Sequence, residues 1–179
     1  ENTLEKAHYK LIEDAQTALG RAIRINKNLL FLARIKNHQF QEREHIIIKE
    51  EVEQTLDLLD YELTKKNLNL TLSLEQTPVY TNRYLLSSLV QNLITNALRY
   101  TPKDGQVGIL CSENLFCIKN SGTNSLNTEM LFKRFANLDE HSPNTGLGLS
   151  IVKEICNHNK WTISYDFQNT LHTFTISFS

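Results

Sequence analysis

Asn92-Leu93-Ile94-Thr95-Asn96-Ala97-Leu98-Arg99-Tyr100 ends a segment in which Leu85, Leu86, Leu89, Val90, Leu93, Ile94 and Leu98 recur at helical spacing. The pattern predicts a helix over about 82–100 that stops before Pro102, because the residue ahead of a proline resists the helical conformation. Asn92 and Asn96 are four apart and so share one face, with Arg99 and Tyr100 a turn later. Asparagine is a poor helix former, so two of them in an otherwise apolar helix have two readings. They are polar residues at the edge of a core, or a carboxamide pair suited to Mg²⁺, a hard cation that prefers oxygen and shares its shell with phosphates.

Two glycine-bearing stretches lie downstream. In Thr145-Gly146-Leu147-Gly148-Leu149-Ser150-Ile151-Val152 a loop becomes a helix. A helix start offers unpaired N–H groups and a positive dipole end, and glycine lets a phosphate approach that backbone. In Ile118-Lys119-Asn120-Ser121-Gly122 a strand end turns into a long polar stretch, where a side-chain amide can accept from an adenine amino group. Neither a Gly-x-x-x-x-Gly-Lys-Ser/Thr loop nor a Gly-x-Gly-x-x-Gly after a strand occurs. Read one at a time, these stretches are turns. Their clustering is notable because the chain has only six glycines.

Around this centre the pattern predicts a long helix over 4–35, a short strand at 46–48 and an amphipathic helix over 50–65. Strands follow at 67–74, 106–112 and 115–119, then a polar stretch over 120–145 with an apolar turn at Leu131, Phe132 and Phe135. A helix over 147–157 and strands at 161–166 and 173–178 complete the chain. This order suggests an α/β fold: a two-layer sandwich with a mixed sheet and helices on one face, behind an N-terminal bundle helix. In that helix Leu4, His8, Leu11, Ala15, Ala18, Ala22, Ile25, Leu29 and Leu32 step by fours and threes, and Ile12, Leu19, Ile23, Leu30 and Ala33 widen the stripe. Leaving that face in water would cost roughly 25 cal/mol per Å² of apolar area, so packing on other helices is expected. Arg21, Arg24, Lys27 and Arg34 read as a solvated face.

The 179 residues are 40% hydrophobic and 22% charged, a globular composition without an apolar run of membrane length. Nineteen Lys and Arg against twenty Asp and Glu give a net charge of −1, so nothing in bulk attracts nucleic acid, and an anionic ligand needs a local site. Cys111, Cys117 and Cys156 match no zinc or redox spacing and are expected as buried thiols in a reducing compartment. The chain begins at Glu1 rather than Met and reads as part of something longer.

Taken together and in order, the three stretches resemble the sensor histidine kinase branch of the GHKL ATPase superfamily, with its Bergerat-type fold. In that resemblance 92–100 is the N box, Asn120 to Gly122 the first glycine box, Leu131-Phe132-Lys133-Arg134-Phe135 the F box and Gly146 to Leu149 the second glycine box. Residues 1–43 resemble the second helix of the dimerisation and phosphotransfer hairpin with its linker, and 44–179 the ATP-binding catalytic domain.

The resemblance implies ATP and Mg²⁺ as ligands, with Asn96 on the metal and Asn92 close by. It implies Arg99 at phosphate oxygens, Tyr100 against adenine, and Thr145, Gly146, Leu147, Gly148 and Leu149 around the phosphates. Thr173 would lie near the base, and residues 123–145 would form a lid clasped by Phe132 and Phe135, with Arg134 beside them. Asn120 stands where the family usually has Asp, and Asn124 where it has Gly. An asparagine oxygen still accepts from adenine, but without a charge-assisted bond. Two readings therefore stay open, a histidine kinase catalytic region and a non-catalytic or degenerate, kinase-like dimerisation and nucleotide-binding module that binds nucleotide weakly or not at all.

None of His8, His38, His45, His141, His158 or His172 has the context of a phosphoacceptor, and all read as structural or surface groups. The acceptor is expected outside this fragment, which itself supplies no catalytic side chain. A response regulator as partner, a homodimer through the N-terminal helix, no nucleic acid, and a cytoplasmic position with a membrane anchor elsewhere in the protein complete the expectation.

Overall fold

The computed structural model describes residues 2–136 and 145–178. A 35-residue helix, α1 (Asn2–Lys36), is followed by β1 (Glu44–Ile47), α2 (Ile48–Leu58), α3 (Asp60–Lys66), β2 (Asn69–Leu74), β3 (Pro78–Thr81) and α4 (Arg83–Tyr100). Then come β4 (Gln106–Ser112), β5 (Leu115–Ser121), α5 (Thr128–Leu131), α6 (Gly148–Asn159), β6 (Thr162–Gln168) and β7 (Leu171–Ser177).

Five strands form one sheet in the order β2-β4-β5-β7-β6. β2 runs parallel to β4 and the remaining pairs are antiparallel, so the sheet is mixed as expected. Because side chains alternate along a strand, Val107, Ile109 and Cys111 of β4, Phe116 and Ile118 of β5, and Phe174 and Ile176 of β7 fall on one buried face. They join a single core with Leu85, Leu86, Leu89, Val90, Leu93, Ile94, Ala97 and Leu98 of α4 and with Ile151, Val152, Ile155 and Cys156 of α6. Burying each large side chain of that set stabilises the fold by about 1.5–3 kcal/mol relative to exposure. α2 adds Ile48, Val52 and Leu56 to the same layer. The fold is thus an α/β sandwich with its helices on one face.

β1 and β3 pair antiparallel in a separate two-stranded sheet, with Ile46 opposite Val79. β3 is four residues long and begins at a proline, too short for alternation to reveal it, and only its pairing with β1 defines it. The helix expected over 50–65 is two helices, broken at Leu59 (φ −110°, ψ 10°). All three cysteines are buried and free, and burial raises the Cys156 thiol to about 12.

The apolar stripe of α1 divides in two. Near its C-terminal end Phe31, Leu32 and Ile35 are buried, and Ile25 and Leu29 pack against the core. Lys36 reaches Glu154 of α6 at 4.0 Å, and Phe31 meets Phe40 and Tyr84 edge-on. Further up, Leu11, Ile12, Leu19 and Ile23 remain exposed, as does Leu30 on the side of α1 away from the core. Among the described residues, no helix is long and apolar enough to cross a membrane.

Candidate functional site

A cavity of about 800 Å³ opens between α4, the start of α6, the ends of β5 and β7, and α1. Small-molecule sites span roughly 300–1,000 Å³. Arg24 and Lys27 of α1 and Arg99 of α4 line it, and no carboxylate does so among the described residues. In a chain with twenty acidic residues that segregation creates a locally positive site despite the net charge of −1.

α4 is started by Asn82, whose Oδ1 accepts from the N–H groups of Tyr84 and Leu85 at 3.0 and 3.3 Å. From that start the 3.6-residue period brings Ser88, Gln91, Asn92, Thr95, Asn96 and Arg99 to the cavity, with Tyr100 at its end. Asn92 Nδ2 donates to the Ser88 carbonyl at 2.7 Å, which orients its Oδ1. A Cβ placed on Gly148 would sit 2.9 Å from that oxygen, so only a glycine lets α6 begin this close to α4.

Gly146 has φ 65°, the left-handed region that favours glycine, and its carbonyl accepts from Phe135 N–H at 2.9 Å. Leu147, the residue before α6, gives the helix no side-chain cap. The first-turn N–H groups therefore face the cavity rim with the positive end of the helix dipole behind them.

The opposite end is neutral. Asn120 is buried on β5 and pairs across the ladder with His172 on β7. Its Nδ2 donates to the Ser121 carbonyl at 3.2 Å. The His172 ring lies against Gly122, and its Nδ1 is 2.9 Å from the Tyr165 hydroxyl, which accepts from Leu126 N–H at 2.9 Å. Burial holds the His172 pKa below its ordinary value, so the ring is neutral at pH 7.

Of the expected site residues, Asn92, Asn96, Arg99, Tyr100, Asn120, Gly122, Thr145, Gly146, Gly148 and Leu149 line this one cavity, as does Asn124. Four do not. Thr173 pairs with exposed Lys119, which places it on the sheet face away from the helices, and its neighbours His172 and Phe174 line the cavity instead. Leu147 is fully buried in the core. Phe132 packs against the core with Lys153 over its ring, and Arg134 is exposed. Residues 137–144 of the expected lid, with His141, lie outside the described residues.

His172, read as structural or surface, is the residue whose role changes most. Counting outward from Phe174 along the strand alternation would have placed it in the cavity. Four further unexpected lining residues, Arg24, Lys27, Asn28 and Phe31, come from α1. Asn28 Nδ2 donates to Thr145 Oγ1 at 3.1 Å, a contact spanning 117 positions that no local pattern encodes. Among the described residues, no group of three or more His, Cys, Asp or Glu could hold a metal ion.

Residues 81–179 match the family described as histidine kinase-, DNA gyrase B-, and HSP90-like ATPase. The chain is 33% identical over 162 residues to sensor histidine kinase HprS of Escherichia coli K12, covering 86% of this chain and 36% of that protein. It is 29% identical over 182 residues to heme sensor protein HssS of Staphylococcus saprophyticus, covering 97% of this chain and 40% of that one. The solved structure of Acinetobacter baumannii histidine kinase AdeS matches with TM-score 0.72 and 28% identity, over 100% of this chain and 85% of that chain. The chain therefore spans less than half the length of these curated relatives.

Proposed function

The chain belongs to the histidine kinase-, DNA gyrase B- and HSP90-like ATPase family and corresponds to the ATP-binding catalytic region of sensor histidine kinases, and from this we propose that its cavity holds Mg-ATP and presents the γ-phosphoryl to a histidine outside these 179 residues. The observation that carries this is that three cations, no described carboxylate and an uncapped helix start line one cavity. That is a site for a polyanion. At the other end Asn120, its amide nitrogen engaged by Ser121, keeps its oxygen for an amino group on the base edge.

Asn96 is the proposed Mg²⁺ ligand, with Asn92 beside it. An uncharged oxygen donor and the lack of a carboxylate among the described lining residues fit a cation that arrives already paired with the triphosphate. The ion would supply charge neutralisation across the phosphates. The chain's own part is positioning: Arg99 and the first-turn N–H groups of α6 bind phosphate oxygens, Gly146 and Gly148 permit the approach, and Tyr100 flanks the base. Residues 123–145, with Phe132 and Arg134, act as the lid.

The phosphoryl group would pass from the acceptor histidine to a response regulator. The exposed stripe Leu11, Ile12, Leu19, Ile23 and Leu30 supports a homodimer through α1, with 1–43 as hairpin and linker and 44–179 as catalytic domain. Any membrane anchor belongs to parts of the protein beyond this piece, which would sit on the cytoplasmic side. A non-catalytic module is the second reading, favoured by the neutral Asn120 at the base end.

Titration with ATP separates the two. Saturable binding that requires Mg²⁺ and is lost in Asn96→Ala is expected, and absence of saturation at millimolar ATP would leave the non-catalytic module.

A further inference from the structure

Arg24 and Lys27 belong to a run, Arg21, Arg24, Lys27, whose members repeat every three residues on one helix. Like charges at that spacing repel one another and disfavour the helix by a few tenths of a kcal/mol per pair. The structure turns Arg24 and Lys27 into the cavity, where neither has a carboxylate partner among the described residues.

Asn28 shows where on the cavity they stand. Its bond to Thr145 fixes α1 against the segment that enters α6, three residues before the helix begins at Gly148. Lys27 adjoins Asn28, and Arg24 lies one turn, about 5.4 Å, further along α1. Both long, flexible cations thus line the cavity close to the Asn28–Thr145 contact, beside the segment that leads into the uncapped start of α6.

We propose that Arg24 and Lys27 are phosphate-binding residues, so that the polyphosphate of the nucleotide is gripped between helix α1 and the α4–α6 rim. The proposal rests on the cavity being the ATP site. It adds that the nucleotide bridges the hairpin helix and the catalytic domain, with the charge on the phosphate chain as the bridge. The gain from α1 then scales with phosphate charge: absent for adenosine, small for ADP and largest for ATP. It weakens with salt, since partly solvated ion pairs are screened over about 8–10 Å.

The test is calorimetric titration of the whole 179-residue chain and of Arg24→Gln/Lys27→Gln with adenosine, ADP and ATP in Mg²⁺. Both positions are exposed, so the substitution leaves the core intact. The double variant is expected to lose about tenfold in ATP affinity, the scale of two partly solvated charge pairs, with a smaller loss for ADP and none for adenosine. Arg24→Lys/Lys27→Arg should retain most of the ATP affinity. Equal ATP affinity in the Gln variant and the unsubstituted chain would overturn the grip while leaving the ATP site standing. An equal loss for all three ligands would do the same, since it would mean a change in cavity shape. An unsubstituted chain that binds none of the three would remove the ATP reading and the grip together.

Discussion

The imidazole of His172 occupies the space where a side chain at position 122 would be: a Cβ on Gly122 would overlap its Nε2 and Cδ2. The ring cannot simply swing away, because its Nδ1 is tied to Tyr165 and its strand is paired on both sides. Gly122→Ala should therefore overpack the neutral end of the cavity, destabilising the protein by about 1–3 kcal/mol and weakening nucleotide binding. Adding His172→Ala should recover much of the loss. Urea denaturation of the two single variants and the double would show a coupling of about 1 kcal/mol or more, and additive effects would contradict the contact.

Gly148 and Asn92 make a second close approach, at the cationic end. Gly148→Ala suits a helix by propensity, by about 1 kcal/mol in an interior position, so the fold should survive. The added methyl, however, must push Asn92 Oδ1 and strain the Asn92–Ser88 bond. An ATP dissociation constant raised about tenfold, with a melting temperature unchanged or higher, is the expected signature. Unchanged affinity would mean that Asn92 can yield without cost to the site.

Two histidines set an acid limit on stability. Burial is the main reason that His158 and His172 sit below their ordinary pKa, and at His158 the nearby Arg43 cation adds to it. The backbone groups of Phe40 and Ile35 beside the His158 ring favour its charged form and only partly offset that burial. Above about pH 7.5, a unit over the ordinary value, these histidines are neutral in both states and contribute no pH dependence. Below it the unfolded chain binds protons that the folded chain resists, so stability falls as pH drops through about 6.5 towards the folded pKa values. The urea midpoint should decline between pH 7.5 and 5.5, and His158→Gln should flatten that slope.

The Asn28–Thr145 bond joins α1 to the α6 entrance. Thr145→Val keeps the shape and removes the acceptor, which should cost about 0.5–1.5 kcal/mol of stability. Asn28→Ala should cost a similar amount, and the double variant no more than either alone. Thermal or urea unfolding of the four proteins measures this. If the two losses add, the pair makes no bond in solution.

Much of the fold is legible because its signals are local. The apolar spacing in 82–100, the Asn82 start and Pro102 define α4 without outside help, and on it Asn92, Asn96, Arg99 and Tyr100 must share one side. β2 and β7 declare themselves by alternation, and β4 and β5 as short apolar runs on either side of a turn. The failures are local too. Thr173 and His172 differ by one position, and a one-residue change of strand phase exchanges the two faces of the sheet, so naming the wrong neighbour moves a site residue to the far side. Leu147 stands between two glycines, and the core takes its apolar side chain, which leaves its backbone alone available to a ligand.

By itself the sequence determined which residues could be helical, which strand faces could be buried, and that an asparagine-bearing helix and two glycine turns could make a phosphate site. Those properties follow from period, turn chemistry and composition, each set within a few residues of chain. Only the tertiary structure decided that β3 exists, that His172 rather than Thr173 lines the cavity, and that Arg24 and Lys27 of α1 line it too. The reason is physical: α1 meets the cavity through a hydrogen bond between residues 117 positions apart. Which side of a helix faces water depends on what packs against it, and that partner is written in a distant part of the chain.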